Sequence, residues 1–263
     1  MSLEALARAF SSDNTSVFVA MLPTLIEQLD SVETLELTSS LWICIGTFVS
    51  ELKAHTLPYL PRLLPLLCTR LSQVGEADED GTVLALSTVG TAVVLVEALP
   101  QFMSSHLGAL LRGVLMPHNC DSQSEELRAL VQRILKAISS ISIRLLLPAA
   151  CVVYDSISPS NTGSRAKLLG TLEASLLNMS EDEIEAHYKK IFQFALSALE
   201  GRYYALLTIG LEGSVTAFSA DVERAIHTLE SHAISLLLEL VKVTALRSHC
   251  AQTSAVVRVS TQR

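Results

Sequence analysis

The stretch VSELKAHTLPYLPRLLPLL, residues 49–67, is the one from which the architecture is read. Shifted forward by 47 residues it falls on VEALPQFMSSHLGALLRGV, residues 96–114. Apolar side chains then coincide at Val49/Val96, Leu52/Leu99, Leu60/Leu107, Leu63/Leu110 and Leu64/Leu111. A weaker third copy, ISIRLLLPAACVVYDSI at 141–157, again follows a long amphipathic stretch. Each unit reads as a long helix, a short corner and a second helix whose first turn tolerates proline. Pro58 and Pro61 fall at or near a helix start, where a missing N–H costs nothing. Pro65 falls inside the second helix and predicts a kink there.

Working outward from these copies, apolar spacing is helical nearly throughout and strand-like alternation is scarce. Helices are expected near 3–10, 16–30, 35–53, 56–72, 82–99, 102–116, 123–139, 142–157, 164–178, 181–199 and 221–246. Stop signals separate them at SSDNTS (11–16), GEADEDG (75–81), PHNCDSQS (117–124) and SPSNTGS (158–164). Ser180 and Glu183 have the spacing of a capping box. Two helices per period of about 40–47 residues is the signature of HEAT and armadillo repeats. The expected fold is therefore all-α, a HEAT/armadillo-type α-solenoid of antiparallel helical pairs. About five pairs would occupy residues 1–246, with 200–220 ambiguous because three glycines interrupt it, and 247–263 reads as a disordered tail.

Composition agrees with stacked repeats. Of 263 residues, 49% are hydrophobic and 17% charged, the reverse of a disordered chain. Internal solenoid repeats bury a face on each neighbour, which makes them greasy, while end repeats need polar caps. Neither 1–30 nor 240–263 looks like such a cap, so further repeats or a partner at one end are expected. Residues 1–100 hold 4 basic and 12 acidic side chains, whereas 101–263 hold 15 of each. Direct nucleic-acid contact is disfavoured, because displacing phosphate counterions needs clustered Lys and Arg. The acidic half points instead to basic protein partners.

Other function classes find little support. GTVLALSTVGTAVVLV (81–96) carries no charge, but its 16 residues fall short of the roughly 20 that span a bilayer, and it contains Gly90, Ser87 and three threonines. It reads as a buried solenoid helix, and no membrane partner is expected. Cys44, Cys68, Cys120, Cys151 and Cys250 are odd in number and dispersed, as buried thiols of an intracellular protein are. The seven histidines form no metal-binding face; His118/Cys120 and His249/Cys250 are the only close soft-ligand pairs, short of the four ligands of structural zinc. His227 and His232 read as surface or corner residues. No G-x-S-x-G elbow, P-loop or dinucleotide fingerprint occurs. Ser12-Asp13-Asn14 reads as a helix cap, and Glu76–Gly81 lacks calcium-loop spacing. The matches Asn14-Thr15-Ser16 and Asn178-Met179-Ser180 read as caps or plain surface, not glycosylation sites. Trp42 reads as core, Tyr203 and Tyr204 as seam packing, and Arg128/Arg133/Lys136 and Lys189/Lys190 as polar helix faces. No catalytic, metal or cofactor-binding residue is assigned, and no cofactor is expected.

Three phrases in order carry a resemblance: VEALPQFMSSHLGALLRGVL (96–115), RLLLPAACVVYDSI (144–157) and LLNMSEDEIEAHYKKIFQFALSALEGR (176–202). They resemble late repeats of the U3 small nucleolar RNA-associated protein 10, or HEAT repeat-containing protein 1, family, over about residues 10–245. After Val243 the chain departs from the family pattern, as a fragment, splice product or truncated paralogue would. The resemblance implies a nuclear, nucleolar, non-catalytic scaffold of the small-subunit processome, acting in pre-ribosomal RNA transcription and processing with U3 snoRNP-associated proteins as partners. It transfers no individual functional residue. The competing expectation is an importin-like or trafficking HEAT-repeat adaptor.

Overall fold

The computed structural model describes residues 2–32, 34–73, 79–212, 227–240 and 242, with side chains at all of these except 79, 80, 181 and 200–212. The chain divides into two compact units, Met1–Ser156 and Ile157–Arg263. In the first lie α1 (Leu3–Phe10), α2 (Thr15–Ser31), α3 (Leu35–Leu52), α4 (Leu60–Gln73), α5 (Glu79–Ala98), α6 (Leu107–Val114), the one-turn α7 (Pro117–Cys120), α8 (Glu125–Ser139) and α9 (Ile143–Ser156). The second contains α10 (Thr162–Leu176), α11 (Glu181–Glu212) and α12, described over 227–240. No strand occurs among the described residues, and the fold is an all-α solenoid of helical pairs.

Two rows of helices make up the first unit. The first helices of the pairs pack in the order α1, α3, α5, α8, and the second helices in the order α2, α4, α6, α9. Across the rows, α2 lies on α3 and α4 on α5. All ten residues matched by the 47-residue shift are buried, none more than 5% exposed. The third copy enters the same register, because Ile143, Leu146 and Leu147 take the places of Leu107, Leu110 and Leu111 and are equally buried. In α2, Phe18 and Leu22 take the places of Leu60 and Leu64. This alignment puts Pro23, Pro65 and Pro148 at one position, directly after the buried Leu22, Leu64 and Leu147. Pro65 and Pro148 are exposed and Pro23 half-buried, so each helix carries its proline away from the centre of the core.

Helix starts show where the expectations need correction. The second helix expected from 56 begins at Leu60, since Lys53–Tyr59 winds as 3₁₀ turns around Pro58. Similarly, 100–106 forms two 3₁₀ turns ahead of α6. At the corner entering α4, Lys53 carries a positive φ of 47°, the one non-glycine residue so placed among those described. The stop signal at 117–124 holds the short α7, which the periodicity did not reveal. Asn14 is the N-cap of α2 but makes no side-chain cap bond; Thr15 Oγ1 donates to Ser11 O at 2.8 Å instead. The expected capping box is present. Ser180 N donates to Glu183 Oε2 at 3.2 Å, and Glu183 N donates to Ser180 Oγ at 3.4 Å. Helix α11 runs on to Glu212, through much of the ambiguous 200–220 region. The expected tail 247–263, with His249 and Cys250, lies outside the described residues, as do the side chains of Tyr203 and Tyr204.

Candidate interaction groove

The first-helix row builds a concavity in the first unit. Its centre is the α3–α5 seam, where Gly46 faces Thr91: a Cβ on Gly46 would stand 3.1 Å from Thr91 Oγ1. Glycine there lets the two backbones approach, and the Thr91 hydroxyl fills the gap. That hydroxyl lies 2.7 Å from Trp42 O on the neighbouring helix and 2.9 Å from Ser87 O on its own. Ser87 and Thr88 likewise return their hydroxyls to Leu84 O at 2.9 and 2.7 Å. An apolar helix therefore carries buried hydroxyls without orphaning them. By length and composition alone, Gly81–Ala98 and the run Leu35–Gln73 are apolar enough to cross a membrane, yet 61% of each window is buried within the protein. In α5 that burial comes from packing between α3 and α8.

Because α5 sits back between its neighbours, a groove of about 660 Å³ opens along it. Val83, Leu86, Gly90 and Val94 run along its floor at helical spacing, with Ile43 and Thr47 on the α3 wall and Leu130 on the α8 wall. Ile43 and Val83 are exposed. Charges stand at its rim: Arg8, Glu51 and Arg133. Arg133 grips Glu97 with two parallel bonds, Nε to Oε1 at 2.7 Å and Nη2 to Oε2 at 2.6 Å. The Glu97 carboxylate, through those hydrogen bonds and its charge, holds the Arg133 guanidinium still further into its charged form. Chemically, a floor of aliphatic and small side chains with a polar rim seats another helix face.

The two thiols of α3 and α4 are buried and held away from ionisation. Burial, with a smaller contribution from the Glu4 charge, pushes Cys44 up to about 11, and burial pushes Cys68 up to about 11. Both remain protonated at neutral pH. Among the described residues no group of three or more His, Cys, Asp and Glu side chains is placed to hold a metal ion. His118 and Cys120 spend their polar atoms on backbone carbonyls, His118 Nε2 at 3.2 Å from Leu71 O and Cys120 Sγ at 3.4 Å from Val114 O. Trp42 is fully buried, and its Nε1 finds no hydrogen-bond partner among the described residues. Asn178 Nδ2 donates to Ala174 O at 3.0 Å, tying off the end of α10. Arg128, Lys136, Lys189 and Lys190 are exposed on helix faces.

Two polar sites were not visible from spacing. On α7, Asn119 is buried and its Nδ2 donates to Leu71 O at 3.0 Å and to Gly113 O at 2.8 Å, joining the ends of α4 and α6. In the second unit His232 is no ordinary surface residue. Its Nδ1 lies 2.6 Å from Glu173 Oε2 while Ser235 Oγ donates to Glu173 Oε1, and the ring rests over Gly170. The only prior signal was composition: one Asn in a corner and one His on an amphipathic helix look the same whether or not a neighbour meets them.

Comparison with known proteins places this architecture. No family model matches the chain. The chain is 32% identical to HEAT repeat-containing protein 1 homolog of Dictyostelium discoideum over 211 residues, which is 77% of this chain and 9% of that protein. It is 26% identical to human HEAT repeat-containing protein 1 over 207 residues, 76% of this chain and 10% of the relative. With the Danio rerio protein it shares 27% over 209 residues, again 76% of this chain and 10% of the relative. The chain thus spans about a tenth of the length of the curated relatives it matches. Four helical pairs in one register, and relatives that carry the repeat in their names, lead to one conclusion: the chain belongs to the HEAT repeat-containing protein 1 family, as the counterpart of one segment of those longer proteins.

Proposed function

We propose that the chain is a non-catalytic protein–protein scaffold of the small-subunit processome, acting in the nucleus and nucleolus in pre-ribosomal RNA transcription and processing. The observation that carries this reading is the 32% identity over 77% of the chain to a HEAT repeat-containing protein 1 homolog. The architecture supports it, because stacked helical pairs present long faces and corners on which proteins dock without any catalytic group. The α5 groove is one such face.

Charge placement supports basic protein partners over bare RNA. Asp30 and Glu36 flank the α2–α3 connection, Asp121 lies in the connection before α8 and Glu125 and Glu126 in the first turn of α8; all five are exposed. The partners of this reading are processome and U3 snoRNP-associated proteins with Lys- and Arg-rich segments. Proximity labelling with the tagged chain tests it directly. Processome proteins and a nucleolar signal are the expected result. A vesicular or nuclear-pore signal with transport cargo would replace the reading with that of an adaptor, and binding stronger to RNA than to basic peptides would remove the charge argument.

A further inference from the structure

The α5 groove has a polarity that its lining alone does not show. A Cβ on Gly90 would stand 4.0 Å from Leu130 Cδ1 of α8, and two turns further along both helices Glu97 meets Arg133, so α5 and α8 run the same way. The repeat register gives α3 that direction too, since Val49 and Leu52 are equivalent to Val96 and Leu99. All three helices therefore start at one end of the groove. Helical spacing carries its stripe to that end: Glu36 lies two turns before Ile43 on α3, Glu126 one turn before Leu130 on α8, and both are exposed. Between them α5 opens with Glu79 and Asp80. The opposite rim is balanced, with Arg8 and Arg133 against Glu51 and Glu97.

Acids favour any helix N-terminus, because they offset its positive dipole end. That would serve both rows alike, yet the rows differ. Each first helix begins with carboxylates: Glu4 in α1, Glu36 in α3, Glu79 and Asp80 in α5, Glu125 and Glu126 in α8. The first turns of α2, α4, α6 and α9 have none. Nor is the groove a vacant end of the row. Helices α3 and α8 flank α5 and α4 backs it, while repeats add beyond these, so a further repeat in the stack leaves this side uncovered. We propose, building on the scaffold reading above, that the groove seats an amphipathic helix of a basic partner protein. Its apolar stripe lies on Val83, Leu86, Gly90 and Val94, and its Lys and Arg side chains lie over the first turns of α3, α5 and α8. From Val83 to Val94 the floor is about 16 Å long, which three helical turns with apolar residues at i, i+4 and i+7 would cover. Charge selects this occupant: the carboxylates repel RNA, and an all-apolar helix would leave them unanswered.

The glycine in the floor supplies the test. A Cβ at Gly90 meets nothing nearer than Leu130, so Gly90→Leu projects into the groove and raises helix propensity. Gly108→Leu on α6, where a Cβ meets nothing, is the matched control. A phage-displayed library of random peptides about 16 residues long is panned on the full chain. Enriched peptides are titrated by fluorescence polarisation, with circular dichroism as a check on folding. The expected peptides carry apolar residues at i, i+4 and i+7 with Lys or Arg at one end. Their Kd should rise about tenfold or more in Gly90→Leu and stay unchanged in Gly108→Leu. Glu36→Gln/Glu126→Gln should raise it about threefold or more and weaken its salt dependence. No enriched peptide, or peptides indifferent to Gly90→Leu or to the paired Gln substitution, would overturn the proposal. Proximity labelling keeps the two readings apart. Processome proteins labelled equally by wild type and Gly90→Leu would remove the groove and leave the scaffold; a groove-bound basic peptide without processome labelling would do the reverse.

Discussion

The α3–α5 seam of one row and the α4–α6 seam of the other are made of the same repeat, yet they are held by different means. Between α3 and α5 the contact is bare: Gly46 lies on Thr91, and the bond across the seam is a hydroxyl reaching Trp42 O. Between α4 and α6 a glycine again permits close approach, Gly113 on Leu71, but here Asn119 ties both helices together by their terminal carbonyls. Each row also carries an exposed ion pair between successive helices, Arg133–Glu97 between α8 and α5 and Arg62–Glu27 between α4 and α2. The difference follows from where the seams fall. Mid-helix carbonyls already have intrahelical donors, so a mid-helix seam needs only shape. Carbonyls in a last turn have none, and α7 supplies one side chain that serves two helix ends.

Substitutions break this comparison in a graded way. The largest effect belongs to the first row: Trp42→Ala, which empties a fully buried site without removing a hydrogen bond, should cost about 3–5 kcal/mol in urea unfolding. In the second row, Asn119→Ala removes one donor from each of two carbonyls, of which Gly113 O keeps Met116 N and Leu71 O keeps His118 Nε2, and should cost about 1–2 kcal/mol. Hydrogen exchange should localise that loss to the ends of α4 and α6.

The two glycines sharpen the contrast. Gly113→Ala gains about 1 kcal/mol of helix propensity but drives a Cβ into Leu71, and should be net destabilising by about 1–2 kcal/mol. Gly46→Ala would put its Cβ 3.1 Å from the anchored Thr91 Oγ1, a crowding that a shift of a few tenths of an ångström relieves, so the two effects should nearly cancel, leaving its melting temperature within a few degrees of wild type.

Alkaline pH acts on both rows together, through Cys44 on α3 and Cys68 on α4. Their folded values of about 11 lie above the ordinary thiol value of 9.0. Below pH 9 both states hold the proton and stability is intact. As pH rises from 9 through 11 the unfolded chain ionises first, so stability falls. Urea midpoints at pH 8 and pH 10 should show this drop, and a Cys44→Ala/Cys68→Ala variant should show less of it. Least affected is the exposed Arg62–Glu27 pair; Arg62→Ala should change stability by no more than about 0.5 kcal/mol.

Much of the fold could be read in advance because its period is local. The five matched apolar pairs all proved buried, and most helix limits fall within a few residues of the spacing-based expectation. The misses cluster at corners. Proline-rich starts at 53–59 and 100–106 wind as 3₁₀ turns, and the polar stretch PHNC hides a helix of one turn. The groove along α5 was less legible. An uncharged run predicts burial on most sides, and the spacing of Val83, Leu86, Gly90 and Val94 does not say that this is the stripe the neighbouring helices leave uncovered.

Local sequence, then, determined the helical period, the repeat and the family, since apolar spacing and repeat length are properties of residues near one another in the chain. Tertiary structure alone decided which equivalent positions meet a neighbour. Arg62 and Gly113 sit on comparable faces of comparable helices, but one reaches a carboxylate and the other lies on Leu71. That distinction arises from the stacking of whole helices, whose partners lie some 35–50 residues away, and no short-range pattern encodes it.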